Sequence, residues 1–347
     1  MRVLWLTPDK PADISVGRRR IAEHLERSGI EVTLRGTTPG TALRSLRECA
    51  RGRYDAVVGT TRAGAFVGAA ARLLGTPLVV DHVDPIRQFA GTHPRPLAAT
   101  VRVAENAAFA LADRVLYVYE EERPRVERYA RGAIETDLGV AYDRFADPDP
   151  AAVERARERL AGAGVDLDGR IAVYVGGLEP IYRVPELLAA MTHRPEWTLV
   201  VLGAGSLEDR VERAAREREN VAFLGTVPHE DVPGYLAAAD VGLSLVDDPH
   251  TLKVLEYAAA GLGVVQAAGR AEARFGDCVE YCDTRPRGIA DAIQRAGDRG
   301  TSDAFRERIR QFDYGTVAGD YREALRAVVG SDGDGGSDAD PTDGHST

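Results

Sequence analysis

The chain has 347 residues, 44% of them hydrophobic and 28% charged, which is enough for two α/β domains with separate cores but offers no apolar run long enough for a membrane span or a signal peptide. Its three cysteines, Cys49, Cys278 and Cys282, are an odd number with no CxxC pair, which argues against a zinc site or a disulfide framework and for buried thiols. The formal net charge is −10, and Lys10 and Lys253 are the only lysines among 44 basic residues; such acidity suits a cytoplasm of high salt, with a GC-rich genome as the alternative source of the arginine bias.

From the N-terminus, the apolar runs Arg2–Leu6, Glu31–Leu34, Asp55–Val58, Pro77–Val80 and Arg114–Tyr119 read as buried strands. Gly17–Ser28, Thr41–Gly52, Arg62–Leu74 and Arg95–Ala112 read as helices between them. Strands alternating with helices of this length predict a parallel, doubly wound sheet, which binds ligands at the carboxyl ends of its strands. Ala146-Asp-Pro-Asp-Pro150 reads as a linker before an Arg/Glu-rich helix at Ala151–Ala161. A second strand series then begins: Ile171–Val175, Trp197–Gly203, Val221–Leu224, Asp240–Leu245, Gly263–Gln266 and Val279–Cys282. Helices are expected between them at Val184–Met191, Leu207–Arg218, Val232–Ala239 and Thr251–Ala260. The predicted division is a first domain at 1–148 and a second at 149–311. A helix Tyr314–Val328 is expected to cross back onto the first domain, and an acidic tail at 331–347 to be disordered. Charge is uneven: residues 1–150 carry 22 bases and 20 acids, the remainder 22 and 34, so the first half can approach something anionic.

Chemistry concentrates in the segment Thr251–Val265, which opens after the polar turn Asp247-Asp-Pro-His250. A helix that starts just after a strand presents free N–H groups and a positive dipole end, which suits a diphosphate. Lys253 is placed to reach a phosphate, and Glu256, one turn on, to accept from ribose hydroxyls. A plain amphipathic helix with a solvated Glu and Lys has the same pattern.

Asp248, seven residues and then Glu256, followed by Tyr-Ala-Ala-Ala-Gly-Leu, resembles the E-x7-E region of family 4 retaining glycosyltransferases. Leu199–Gly205, Asn220–Val227 and Val232–Val246 follow in the family's order. In the first half, Ser15-Val-Gly-Arg-Arg-Arg20 resembles the glycine loop that faces the donor, and Glu105 through Val118 and Leu138 through Phe145 the run that ends the first domain. The resemblance implies two Rossmann-like domains facing across a cleft, the GT-B arrangement, with a nucleotide-sugar donor on the second and a glycan or lipid-linked acceptor on the first. It implies that Glu256 contacts the ribose and that the amides of Lys253, Val254 and Leu255 hold the diphosphate. Asp248 is implied to lie near the transferred sugar. Gly17, Gly203 and Gly205 are implied to let backbone approach the donor.

The sequence departs from the family at four places: Asp248 stands where the first Glu of the E-x7-E region is usual, Leu138 where Asn is usual, Gly177 where a phosphate-binding Arg is common, and Arg183 near the usual Lys. Arg183 can offer a planar fork to a phosphate. In Asp81-His-Val-Asp-Pro85, either His82 or Asp84 is the candidate at the reacting centre. No metal is expected, since the Asp-x-Asp triplets at Asp147, Asp166, Asp332 and Asp338 lie in a linker, a loop and the tail. No nucleic-acid partner is expected, and no G-x-G-x-x-G dinucleotide fingerprint is present. A sugar-nucleotide epimerase of the same fold and a non-catalytic sugar-nucleotide-binding subunit are the alternatives. Arg44, Arg47 and Arg51 recur on one face of the second helix. They predict either a peripheral contact with an anionic membrane or a solvated face paired with acids such as Glu48.

Overall fold

The structure is a computed structural model that describes residues 1–8 and 14–330; the tail read at 331–347 lies outside the described residues. The chain divides into two compact units, one formed by Met1–Asp137 with Gly315 onward, the other by Leu138–Tyr314.

The first unit is a six-stranded parallel sheet in the order β2-β1-β3-β4-β5-β6. Its strands are β1 (Arg2–Leu6), β2 (Glu31–Arg35), β3 (Ala56–Thr60), β4 (Leu78–His82), β5 (Arg114–Tyr117) and β6 (Ala133–Glu135). β3 and β4 are buried along their whole length, which explains why they read as continuous rather than alternating apolar runs. On one face Leu4, Leu6, Val57, Leu78 and Val80 pack with Ala108 and Phe109 of the helix Arg95–Leu111. The C-terminal helix Tyr314–Val329 buries Tyr321, Ala324 and Leu325, and the Tyr321 ring lies 5.1 Å from that of Trp5 on β1.

The second unit repeats the plan with β7 (Arg170–Val175), β8 (Trp197–Leu202), β9 (Val221–Gly225), β10 (Val241–Ser244), β11 (Gly263–Ala267) and β12 (Glu280–Cys282). The sheet order is β9-β8-β7-β10-β11-β12, all parallel. Renumbered within the unit this is 3-2-1-4-5-6, the dinucleotide-fold order, with its switch point between β7 and β10.

Several boundaries differ from the sequence reading. The division between units falls at Asp137/Leu138, not at the Asp147–Pro150 linker, because Val140, Tyr142 and Phe145 are buried in the second unit's core. Val140 also pairs with Asp313, so the entering and leaving chains of that unit form one bridge. β4 runs on through Asp81 and His82, which places both on the strand instead of in a loop. Gly17, read as the first residue of a helix and implied by the resemblance to belong to a glycine loop, lies inside the helix Ile14–Arg27. The second helix spans Pro39–Ala50, so Arg51 caps it from just beyond. Cys49 and Cys282 are buried and Cys278 half-buried, all three as free thiols.

Candidate active site

On one side of the second unit's switch point, the loop after β7 is locked to the loop after β8. β7 ends in Val175-Gly176-Gly177-Leu178 and β8 in Leu202-Gly203-Ala204-Gly205. Gly176 N–H donates to the Leu202 carbonyl at 2.9 Å, and Leu178 N–H to that of Ala204 at 2.9 Å. Gly203 has φ +141°, and a Cβ there would sit 1.9 Å from the Gly176 carbonyl oxygen; one on Gly205 would sit 2.7 Å from the Leu178 nitrogen. The close approach that these glycines permit is therefore to the protein's own neighbouring loop. Gly177 is held in turn by the Tyr174 hydroxyl, which donates to its carbonyl at 2.6 Å. On the other side of the switch point, the buried Tyr257 hydroxyl accepts from Val175 N–H at 3.0 Å and donates to the Leu243 carbonyl at 3.4 Å. Burial pushes its phenol well above the ordinary range.

The helix Leu252–Ala259 follows β10, and no side chain caps its start. Val254 and Leu255 turn their side chains into the core, which leaves their amides as their polar contribution. Lys253 crosses toward β7: its Nζ lies 4.4 Å from the Tyr182 ring and 4.7 Å from the Tyr174 ring. A Cβ on Gly176 would come within 2.5 Å of that nitrogen. The ammonium thus stands at the carboxyl end of β7, close to Gly176. Arg183 itself adopts φ +56° at the start of the helix Val184–Ala190, a strained geometry for a residue with a side chain. Its guanidinium is half-exposed and pairs with Glu186 at 3.4 Å.

Glu256 is sheltered, its side chain 14% exposed, and its Oε1 lies 3.2 Å from Nε2 of His229. His229 follows β9; its carbonyl accepts from Arg144 at 2.9 Å, and its ring meets Phe145 edge-on at 6.2 Å. The sequence reading did not single out His229, whose only signal was its place in the loop after the third strand of the unit. Asp248 is tied into its turn: its carboxylate accepts from His250 N–H at 2.9 Å and its carbonyl from the buried Gln266 at 2.8 Å. Asp149 and Asp166 serve as local caps for Ala151 and Asp168.

In the first unit the end of β4 carries a dense polar cluster. Asp81 is fully buried. It accepts from Arg18 Nε at 2.7 Å and Nη2 at 3.2 Å, from Thr60 at 2.6 Å, and from the Tyr321 hydroxyl at 2.7 Å. Arg18 is thus an internal counter-ion, not part of an exposed basic run. His82 is also buried, edge-on to Phe109 at 4.9 Å, with Nε2 3.2 Å from Glu122 Oε2.

From there a ring of charges closes back on the same loop. Arg125 donates to Glu122 at 2.8 Å and to Glu105 at 2.7 Å. Glu105 lies 2.8 Å from Arg62 Nε. Arg62 donates to the carbonyls of Asp84 at 3.0 Å and Pro85 at 3.2 Å. Burial pushes Glu122 up, but its bond to His82, the charges of His82 and Arg125 and the Ile86 amide outweigh that and bring it down to about 2. Burial raises Asp84 against the pull of Arg62, 4.0 Å away.

Of the basic helix face, Arg44 donates to the buried Glu48 at 3.1 Å. Arg47 and Arg51 are exposed and have no ion pair among the described residues. No group of His, Cys, Asp and Glu among the described residues is arranged to hold a metal ion.

Residues 169–298 match the family model described as "Glycosyl transferases group 1". The glycosyl transferases group 1 domain so matched lies within the second unit. A GDP-mannose-dependent mannosyltransferase of Corynebacterium glutamicum, named for a monoacylated phosphatidylinositol monomannoside, is 30% identical over 108 residues, 30% of this chain and 28% of its own length. The chain therefore spans less than a third of the curated relative it matches. Solved structures extend the likeness beyond the group 1 domain. Anabaena HepE in complex with UDP and glucose has a TM-score of 0.71 at 18% identity, covering 94% of this chain and all of that one. Sucrose-phosphate synthase of Thermosynechococcus elongatus has a TM-score of 0.75 at 18% identity, covering 95% and 100%. The fold is that of the GT-B glycosyltransferases.

Proposed function

We propose that the chain is a retaining glycosyltransferase of family 4 type, moving a sugar from a nucleotide-diphosphate donor to a glycan or lipid-linked acceptor. The observation that carries this reading is the position of Lys253. Its ammonium stands against Gly176 at the start of the helix Leu252–Ala259, which no side chain caps, so a cation and the first amides of a helix converge at the switch point between β7 and β10. That is where a diphosphate is held in sheets of this order.

Lys253 takes the role of the phosphate cations missing at Gly177, with Arg183 in reserve through rotation away from Glu186. Glu256 receives the ribose hydroxyls, sharing its carboxylate with His229. Stabilisation of the leaving diphosphate by these fixed charges is the main catalytic contribution, with front-side attack by the acceptor hydroxyl and transfer of its proton toward the leaving phosphate. No divalent metal takes part. His82 or Asp84 serves the transferred sugar, and Asp248 the sugar side of the donor. The solved neighbours bound to UDP and UDP-glucose support a nucleotide-sugar donor, and the mannosyltransferase relative makes GDP-mannose a donor to test beside it.

Incubation with labelled UDP-, GDP- and ADP-sugars and a mixture of lipid-linked and soluble glycan acceptors tests the proposal. A transferase releases nucleoside diphosphate and forms an acceptor-dependent product, also in the presence of a chelator. An isomerised sugar nucleotide would make the chain an epimerase, and binding without turnover a non-catalytic subunit. No helix among the described residues is long and apolar enough to cross a membrane. The exposed Leu43, Arg47 and Arg51 favour a cytoplasmic protein that meets the inner membrane face peripherally, each arginine contributing about 1 kcal/mol near an anionic surface. Flotation with anionic liposomes decides: an Arg44/Arg47/Arg51→Ser variant that floats no less than wild type removes the membrane from the proposal.

A further inference from the structure

We infer that Glu122 is a positioning residue that fixes the His82 ring with Nε2–H directed at its carboxylate, so that Nδ1 is the nitrogen left to meet a sugar hydroxyl. The inference rests on the proposal that His82 serves the transferred sugar. Two donors hold the Glu122 carboxylate, Arg125 Nη1 at 2.8 Å and the Ile86 amide at 3.0 Å, and His82 Nε2 lies 3.2 Å from it. A carboxylate surrounded in this way is ionised and only accepts. The nitrogen facing it must therefore carry the proton.

Arg62 lies 2.8 Å from one oxygen of Glu105, and Arg125 bridges the other oxygen of Glu105 to Glu122 at 2.7 and 2.8 Å. The Glu122 carboxylate holds the Ile86 amide, and Arg62 holds the Asp84 and Pro85 carbonyls. One buried ring of charges thus sets both the imidazole and the backbone that follows it.

The test combines nitrogen-15 NMR of the histidine rings with a double-mutant cycle. In the wild-type protein the His82 ring, assigned by its loss in His82→Gln, is expected to show the Nε2–H pattern; an Nδ1–H pattern overturns the inference without any variant having to fold. In kinetics, Glu122→Gln is expected to lower kcat roughly ten- to a hundredfold, by analogy with loss of the carboxylate partner of a metal-bound histidine, with little change in donor KM. Glu122→Asp is expected to recover part of that loss. His82→Gln/Glu122→Gln should fall no further than His82→Gln alone, because Glu122 acts through the imidazole. Wild-type turnover in Glu122→Gln, or losses that multiply, overturn the positioning role. Wild-type turnover in His82→Gln overturns instead the assignment of His82 to the sugar, and the inference with it.

Discussion

Replacing Tyr321 by Phe removes one hydroxyl from a fully buried site and leaves the ring in place against Trp5 and beneath Arg18. That hydroxyl donates to Asp81 at 2.7 Å, 240 residues away in sequence. A hydrogen bond to a charged group contributes about 1.5–3 kcal/mol. Asp81 keeps the Arg18 fork and the Thr60 hydroxyl, so the expected loss is in the lower half of that range, about 2 kcal/mol. At 1.4 kcal/mol per factor of ten this is roughly thirtyfold in the folding equilibrium. For a unit of this size it lowers the midpoint by about 4–8 °C.

The two tryptophans make the assay specific. Trp5 lies on β1 of the first unit and Trp197 on β8 of the second, so a Trp197→Phe background leaves Trp5 as the fluorescent reporter of the unit that Tyr321 joins. Urea unfolding of Tyr321→Phe in that background should show the loss in the Trp5 transition. Tyr129→Phe, at a partly exposed tyrosine of the same unit, should not move it. A change below about 0.5 kcal/mol for Tyr321→Phe, the size of an ordinary surface effect, would refute the claim that this bond anchors the C-terminal helix.

Gly203→Ala should prevent the second unit from folding stably, since its Cβ would meet the Gly176 carbonyl oxygen at 1.9 Å. Gly225→Ala has φ +68° but open space and should cost only about 1–2 kcal/mol of backbone strain, as read from denaturation midpoints. Glu256→Ala should weaken donor binding roughly ten- to a hundredfold, the effect of about 1–3 kcal/mol for a buried hydroxyl left unpaired; unchanged affinity by calorimetry would place Glu256 outside the donor site. Acid should destabilise the first unit in a defined window. Burial raises Glu48, but bonds from Arg35, Arg44 and Tyr54 outweigh it and bring it to about 2, and Glu122 is likewise at about 2, against an ordinary value of 4.5. Their folded-state values are depressed, so their stabilisation is complete above pH 4.5 and is lost as pH falls toward 2. Glu48→Gln should flatten that limb of the stability curve, and an unchanged slope would contradict the assignment.

Local pattern determined much of this protein. Strand–helix alternation repeated twice specifies two doubly wound sheets, because apolar runs covered on both faces by helices have few other ways to be buried. Glu256 and Lys253 were legible for the same kind of reason: a polar turn closing one strand and a helix opening before the next place them at a sheet's carboxyl edge wherever the chain goes. The charged core of the first unit was not legible. Glu122 stands in the run Glu120-Glu-Glu-Arg-Pro-Arg125, whose local pattern marks no buried position. Arg18 stands in an equally plain Arg-Arg-Arg run. Asp81 and Tyr321 lie too far apart for spacing to connect them. Whether such a charge is exposed or paired depends on which helices lie over β4, and only the tertiary structure decides that. The same holds for Gly203, which pattern marked for a ligand and packing assigned to the backbone of Gly176. The reason is physical: periodicity encodes which face of an element is apolar, whereas a buried ion pair is set by the meeting of two elements whose separation in sequence has no period.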